Sequence, residues 1–346
     1  MTTVRITKKI PPGFSLDVEF TLAPGITALL GPAGAGKTVI LEALAGLVRP
    51  DSGRILLDDA ILYDGGAAVD APPRDRRCAY ISHDDSLFPH MTVRQNLAFA
   101  AGGFPRLERH RRIAETLARW QLTELAAAAP RSLTGAQGLR TAIARDLIVE
   151  PKLLLMDERG LATGAGEALL AELRAATPAP ILLVTADLDL CCAAANQLLL
   201  LEAGRIVQRG APREVVEGPE SVEAARLLGY ENILEATIAA LDPGRDASRL
   251  AFENFELAAP YIPGHFRGDR VSVAIRPTAL RLHSGDAPPP LNSVKAELLR
   301  THCRTQTARL EFSGGIVADV VLADYERLRE ARAWQVEFPA ENLRIL

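Results

Sequence analysis

One stretch constrains this chain more than any other: Gly31, Pro32, Ala33, Gly34, Ala35, Gly36, Lys37 and Thr38, which fit the pattern G-x-x-x-x-G-K-[ST]. The apolar segment ITALL at 26–30 precedes it and reads as a strand. A helical stretch from Val39 to Leu47 follows and stops near Pro50. Glycines let backbone N–H groups turn inward around phosphates, and the helix N-terminus adds positive potential. In that setting Lys37 is expected to reach β- and γ-phosphates, and the Thr38 hydroxyl to ligate Mg²⁺. A Gly-rich turn with a chance Lys-Thr would not require both the strand and the helix.

The second half of such a site is an acid at the end of a buried strand. Leu153 to Met156 form an apolar run that ends in Asp157 and Glu158. Alone, two acids after an apolar strand read as a solvated strand end. With a phosphate cradle upstream, Asp157 is expected to hold Mg²⁺ through water and Glu158 to polarise an attacking water.

The remaining sequence frames a two-domain protein, since 346 residues exceed the usual single-domain range. Short apolar runs such as Ile181 to Val184 suit strands of a parallel sheet buried on both faces. Phe14, Leu16, Val18 and Phe20 alternate as in a half-buried strand, and GRILLDDAILY at 53–63 resembles short antiparallel strands. From about 92 to 150 the pattern is helical, with Ile113, Leu117 and Trp120 on one face. The run from Leu198 to Val207 reads as a hairpin closing this first, α/β domain, expected to span 1–230 with helical signals to about Leu228.

Beyond Glu231 the texture changes to short alternating strands split by Gly and Pro, including ATIAAL, DRVSVAIRP, SVKAELL and QTARLEF. A small all-β barrel or sandwich is expected over 231–346, divided by the proline stretch at 287–290 so that its second segment starts near 291.

Net charge is −4, so no global field favours nucleic acid or anionic lipid. The four cysteines have neither metal-ligand spacing nor the look of a disulfide framework. The opening MTTVRITKKI lacks the apolar core of a signal peptide, and no stretch approaches roughly 18 uninterrupted apolar residues. Any membrane role is expected to come through a partner.

Between the two phosphate-site motifs lie segments that make the sequence resemble an ABC ATPase, and more narrowly the ATP-binding subunits of molybdate importers. LFPHMTVRQNLAF at 87–99 resembles the stretch after the family's Q-loop. Leu133, Thr134, Gly135, Ala136 and Gln137, followed by Leu139 to Arg145, resemble the signature motif and its helix, and LLLMDE resembles the Walker B strand. The openings GITALLGPAGAGKT and GRILLDDAILYD look more like the molybdate branch than the sugar branch. SVKAELL at 293–299 resembles the start of a Mop/TOBE module.

The resemblance implies a RecA-like P-loop core with a helical subdomain, followed by a small OB-like Mop/TOBE β-domain. It implies ATP and Mg²⁺ as ligands and a head-to-tail dimer in which Thr134, Gly135 and Gln137 of one subunit cap the nucleotide held by the other. The second subunit is either identical or a paralogue. An integral-membrane permease docks near the Q-loop, a periplasmic oxyanion-binding protein acts indirectly, and the location implied is the cytoplasmic face of the inner membrane.

Five positions depart from the family pattern. His83 stands where the Q-loop Gln is expected, Ala136 where the second signature Gly is, and Arg159 where a Pro follows the catalytic Glu. Gly164 replaces the D-loop Asp, and Ala186 replaces the switch His. Ala186 cannot hydrogen-bond a γ-phosphate or an attacking water, and losing such a group typically costs about 10²–10⁴-fold in rate. His83 can still donate to water or phosphate, as a rigid ring in place of a reaching amide. Ala136 adds roughly 1–2 kcal/mol of strain if the site needs positive φ.

Two readings follow: an importer ATPase in which His83 and Glu158 retain catalytic work alongside Lys37, or a regulatory subunit that binds ATP and turns over little. The basic run Arg106, Arg109, His110, Arg111 and Arg112 lacks interleaved aromatics and reads as a solvated helix face. His265, His283 and His302 have no ligand spacing, and Cys191-Cys192 reads as packing. Phe14 and Phe20 are both available to stack on adenine.

Overall fold

The computed structural model describes residues 2–81, 87–157, 166–284, 288–329 and 334–346. His83, Glu158, Arg159 and Gly164, all singled out in the sequence, lie outside the described residues. The chain divides into two units, Met1–Val215 and Val216–Leu346.

In the first unit the fully apolar runs become the strands of one sheet. β1 (Thr2–Ile10), β2 (Phe14–Leu22), β3 (Ile26–Leu30), β4 (Ser52–Leu57), β5 (Ala60–Asp64) and β6 (Val69–Asp70) come first in the chain. β7 (Cys78–Ile81), β8 (Leu153–Asp157), β9 (Ile181–Thr185), β10 (Gln197–Glu202) and β11 (Arg205–Gly210) follow. The order β11-β10-β3-β9-β8-β7 makes a six-stranded sheet, parallel except for the edge hairpin β10–β11. All five residues of β3 and β9 are buried, as the absence of alternation requires of a strand covered on both faces.

The two coverings are visible in single strands. Leu153 and Leu155 of β8 join one hydrophobic cluster with Leu16, Val18 and Phe20 of β2; Leu154 and Met156 join another with Ile113, Leu117 and Trp120. The first cluster lies beneath the antiparallel sheet β2-β1-β4-β5-β6 and helix α1 (Lys37–Ala45). The second is roofed by α2 (Val93–Ala100), α3 (Arg106–Arg119), α4 (Gly135–Leu147) and α5 (Gly166–Ala176), with α6 (Leu188–Ala194) alongside. Each Leu or Ile so buried contributes roughly 1.5–3 kcal/mol relative to exposure.

The basic run on α3 is held in i,i+4 pairs, Arg111 with Glu115 at 2.9 Å and Arg112 with Glu108 at 2.9 Å, which is a solvated helix face. Cys191 is buried in packing and Cys192 is exposed. No helix among the described residues is long and apolar enough to cross a membrane.

The second unit holds β12 (Asn232–Asp242), β13 (Ala247–Ala251), β14 (Glu256–Ala259), β15 (Arg270–Ile275), β16 (Arg281–Ser284) and β17 (Ser293–Ala296). β18 (Leu298–Cys303), β19 (Thr307–Phe312), β20 (Val317–Val321), β21 (Trp334–Glu337) and β22 (Arg344–Ile345) complete it. They form sheets ordered β14-β13-β12-β15-β22, β16-β21-β17 and β18-β19-β20 around a core that includes Ile238, Phe312, Trp334 and Phe338. β21 pairs with β16 on one edge and β17 on the other, so strands from either side of the proline stretch share a sheet. This unit is not purely β: a helix, Val222–Leu227, precedes β12 and another, Leu322–Leu328, follows β20. His283 Nε2 meets Glu337 at 2.6 Å, which accounts for that histidine as a satisfied side chain.

Candidate functional site

Parallel strands end together. Leu30 of β3 is in register with Thr185 of β9, and Val184 with Asp157 of β8, so three chain segments leave the sheet along one edge. In open α/β sheets this carboxyl edge is where ligands bind. After Leu30 the chain makes its Gly-rich turn and enters α1 at Lys37. Gly36 caps the helix with φ 104°, and a Cβ there would come within 2.9 Å of Leu16 Cδ1 and 3.1 Å of Phe14 Cζ. Both the conformation and the crowding require glycine.

A cleft of about 780 Å³ opens on this edge, within the size range of ligand sites. Ala33, Gly34, Gly36, Lys37, Thr38 and Val39 of the loop and helix line it with Asp157, Val184, Thr185 and Ala186 of the strand ends and Ile10 and Phe14 of the β1–β2 hairpin. Of the other loop residues, Gly31 and Pro32 offer their carbonyls to the Lys37 ammonium at 2.6 and 2.9 Å. Ala35 is buried, and its N–H donates to Pro32 at 3.2 Å. The structure thus brings Thr38 and Asp157, distant in sequence, onto one cavity.

Two hard oxygen donors suit Mg²⁺, an ion usually held by one or two protein oxygens plus phosphate and water. No group of three or more His, Cys, Asp or Glu poised for a metal occurs among the described residues. Thr38 and Asp157 on one cavity fit a cation that arrives with a phosphate chain.

Position along a strand separates the two aromatic candidates. Phe14 and Phe20 share one face of β2. Phe20 is 1% exposed in the core beneath the sheet, whereas Phe14 sits at the hairpin tip, half-buried, opposite Ile10. Only Phe14 lines the cleft. The apolar walls Ile10, Val39 and Val184 were not singled out in the sequence, because a valine inside a strand or helix carries no local mark of lining a cavity.

Ala186 borders the same cleft just after β9. The turn that follows is tied down locally: the Asp187 N–H donates to Thr185 Oγ1 at 2.8 Å, and Asp187 accepts from Leu190 N–H at 3.0 Å to cap α6.

The signature residues lie elsewhere. Thr134 caps α4, its hydroxyl accepting from Gln137 N–H at 3.3 Å while Gln137 Oε1 accepts from Thr134 N–H at 2.9 Å. Thr134, Gly135 and Gln137 do not line the cleft beside Lys37. Ala136 lies within α4 and is not among the residues with positive φ, so the conditional strain does not arise.

A second cleft of about 500 Å³ is lined by Arg77, Arg112 and Arg119 at the opposite, amino edge of β7, β8 and β9. Its charges are committed. Arg119 donates to the Ala175 carbonyl at 3.0 Å and Arg77 to that of Glu150 at 3.4 Å, while Arg112 meets the carboxylates of Glu108 and Glu150 at 2.9 and 2.8 Å. Of these, Arg119 caps the last turn of α5. Burial pushes the Cys78 thiol up to about 12, against the pull of Arg76, so it is no nucleophile at neutral pH.

Residues 16–159 match the family described as ABC transporter. The chain is 36% identical over 236 residues to the molybdenum import ATP-binding protein ModC of Rhodospirillum rubrum, covering 67% of this chain and 63% of that one. It therefore spans a little under two thirds of that relative. It is also 33% identical over 283 residues to the spermidine/putrescine import ATP-binding protein PotA of Vibrio cholerae, covering 80% of this chain and 72% of that one. Among solved structures, cbiO1 from Clostridium perfringens, part of the transporter complex cbiONQ, superposes with a TM-score of 0.55 at 25% identity. That likeness covers 65% of this chain and 92% of cbiO1.

Proposed function

The chain belongs to the ABC transporter family of ATP-binding proteins, and we propose that it is the ATPase subunit of an importer for molybdate or a related oxyanion. The observation that carries this reading is the convergence of Lys37, Thr38 and Asp157 on one cleft that Phe14 also lines. That lining suits a triphosphate at the helix N-terminus and a base against the phenyl ring.

In this reading the amides of the loop and the α1 dipole hold the β- and γ-phosphates, and Lys37 turns from the Gly31 and Pro32 carbonyls to the phosphate chain. Thr38 and Asp157 orient Mg²⁺, which when bound neutralises charge developing on the phosphate oxygens. Glu158 polarises water and His83 contacts the γ-phosphate side, roles that rest on their place in the sequence. Thr134, Gly135 and Gln137, remote from their own loop, cap the nucleotide of a second subunit. Closure of that pair drives a permease at the cytoplasmic face of the membrane. The oxyanion is favoured by the branch resemblance of the phosphate loop and by the molybdenum importer relative; the polyamine importer relative keeps the cargo open to test. Residues 231–346 form the accompanying Mop/TOBE-like module.

Ala186 supports a second reading, a nucleotide-binding regulatory subunit that turns over little. It stands on the cleft wall where a polar switch would touch the γ-phosphate. Phosphate release by purified protein, beside Lys37→Ala and Ala186→His, separates the two. Turnover well above Lys37→Ala supports the importer ATPase. Binding without turnover, restored by the histidine, supports the regulator.

A further inference from the structure

The phosphate loop is carried on α1, and the far end of α1 is gripped by a buried charge. Helix ends leave carbonyls without intrahelical partners. In the last turn of α1 the Glu42 carbonyl accepts from Leu47 N–H at 2.8 Å, and the Ala43 carbonyl accepts from Gly46 N–H at 3.3 Å. Arg76 adds two more bonds there: Nη1 donates to the Ala43 carbonyl at 2.6 Å and to that of Leu44 at 3.1 Å. The same guanidinium donates through Nε to the Ala71 carbonyl at 2.7 Å and through Nη2 to Asp70 at 2.8 Å. Its side chain is 0% exposed.

Four acceptors therefore converge on one cation, and they come from α1, from the end of β6 and from the residue after it. The backbone of Arg76 itself stands two residues before β7, the strand that runs toward position 83. A lone buried charge is costly, so the arrangement holds only while all its partners stay in place. The site is built from both sides. Gly46 has φ 83°, and a Cβ there would lie 2.6 Å from Arg76 Nε. A cation at a helix C-terminus also complements the dipole whose positive end faces the cleft.

We propose that Arg76 is the positioning residue of the phosphate loop, locking α1 to β6 and β7 so that Lys37 and Thr38 are presented at a fixed height. This rests on the nucleotide reading of the cleft. A nine-residue helix is a short rigid rod. Release at one end lets the other tilt, and displacements near 1 Å cost up to about 100-fold at a site that depends on orientation.

The test measures Mg·ATP affinity, KM and kcat, and the thermal midpoint for the full chain and for Arg76→Met, Arg76→Lys and Gly46→Ala. We expect Arg76→Met to weaken Mg·ATP by about 10- to 100-fold with KM rising more than kcat falls. Arg76→Lys keeps the charge but cannot reach all four acceptors, and recovers part of the loss. Gly46→Ala displaces the guanidinium from the opposite side and shifts KM in the same direction, which keeps the proposal testable if Arg76→Met does not fold. Variants that lower the thermal midpoint yet bind Mg·ATP as the parent does overturn the role of Arg76 and leave the site reading intact. A parent chain that takes up no Mg·ATP overturns both.

Discussion

The two walls of the nucleotide cleft differ in what they keep. The wall proposed to grip phosphate keeps its residues: Gly34, Gly36, Lys37 and Thr38 line the same cavity as Asp157. The wall that would sense the γ-phosphate carries Ala186, a methyl group, at the turn after β9. Gripping needs amides, a helix end and an ammonium, and all of these depend on backbone shape. Sensing needs a side chain that changes partners during the reaction, and alanine has none to offer. In the proposed reading the contrast separates affinity from turnover: the first wall would set how tightly a nucleotide binds, the second how fast it is cleaved.

Five substitutions probe that contrast, beginning with the two walls themselves. Ala186→His restores a positioned polar group and is expected to raise phosphate release by about 100-fold or more, with affinity little changed. A rise in affinity without a rise in rate would contradict the division between the walls. Lys37→Ala removes charge-assisted contacts and is expected to weaken Mg·ATP by about 2–3 kcal/mol, read by calorimetric titration.

Phe14→Ala and Phe20→Ala form a pair from a single strand. The first is expected to cost about 1–3 kcal/mol of nucleotide binding through lost stacking. The second is expected to cost about 3–5 kcal/mol of fold stability through a core cavity, leaving affinity in the folded fraction nearly unchanged. Equal losses of affinity in both would deny Phe14 its special place. Thr134→Ala is the smallest, costing about 1 kcal/mol of stability through the α4 cap, seen as a lowered thermal midpoint.

Much of this was legible in the sequence, for identifiable reasons. The run ITALL lacks alternation because β3 is covered on both faces, and the Lys-Thr pair follows the glycines because the helix must start there. Asp157 was legible because a strand of four buried residues delivers it to the sheet edge. Phe14 and Phe20 could not be told apart by period, since both lie on the same face of β2. Only the end of the overlying sheet, a tertiary feature, exposes one and covers the other. Arg76 gave no signal at all. It sits in the charged stretch RDRR, and nothing local says that one of those arginines is fully buried. In the second unit, β14 and the helix Leu322–Leu328 went unread, because a four-residue strand and a two-turn helix are too short to establish a period.

The central claim is that the loop amides, Lys37, Thr38 and Asp157 meet around one magnesium-bound triphosphate. Equilibrium titration of the folded chain with labelled Mg·ATP tests it most directly. Saturable binding is expected, weakened by chelation of Mg²⁺ and shifted to far higher concentration in Lys37→Ala. Saturation that is absent, or that is the same in Lys37→Ala as in the parent, contradicts it.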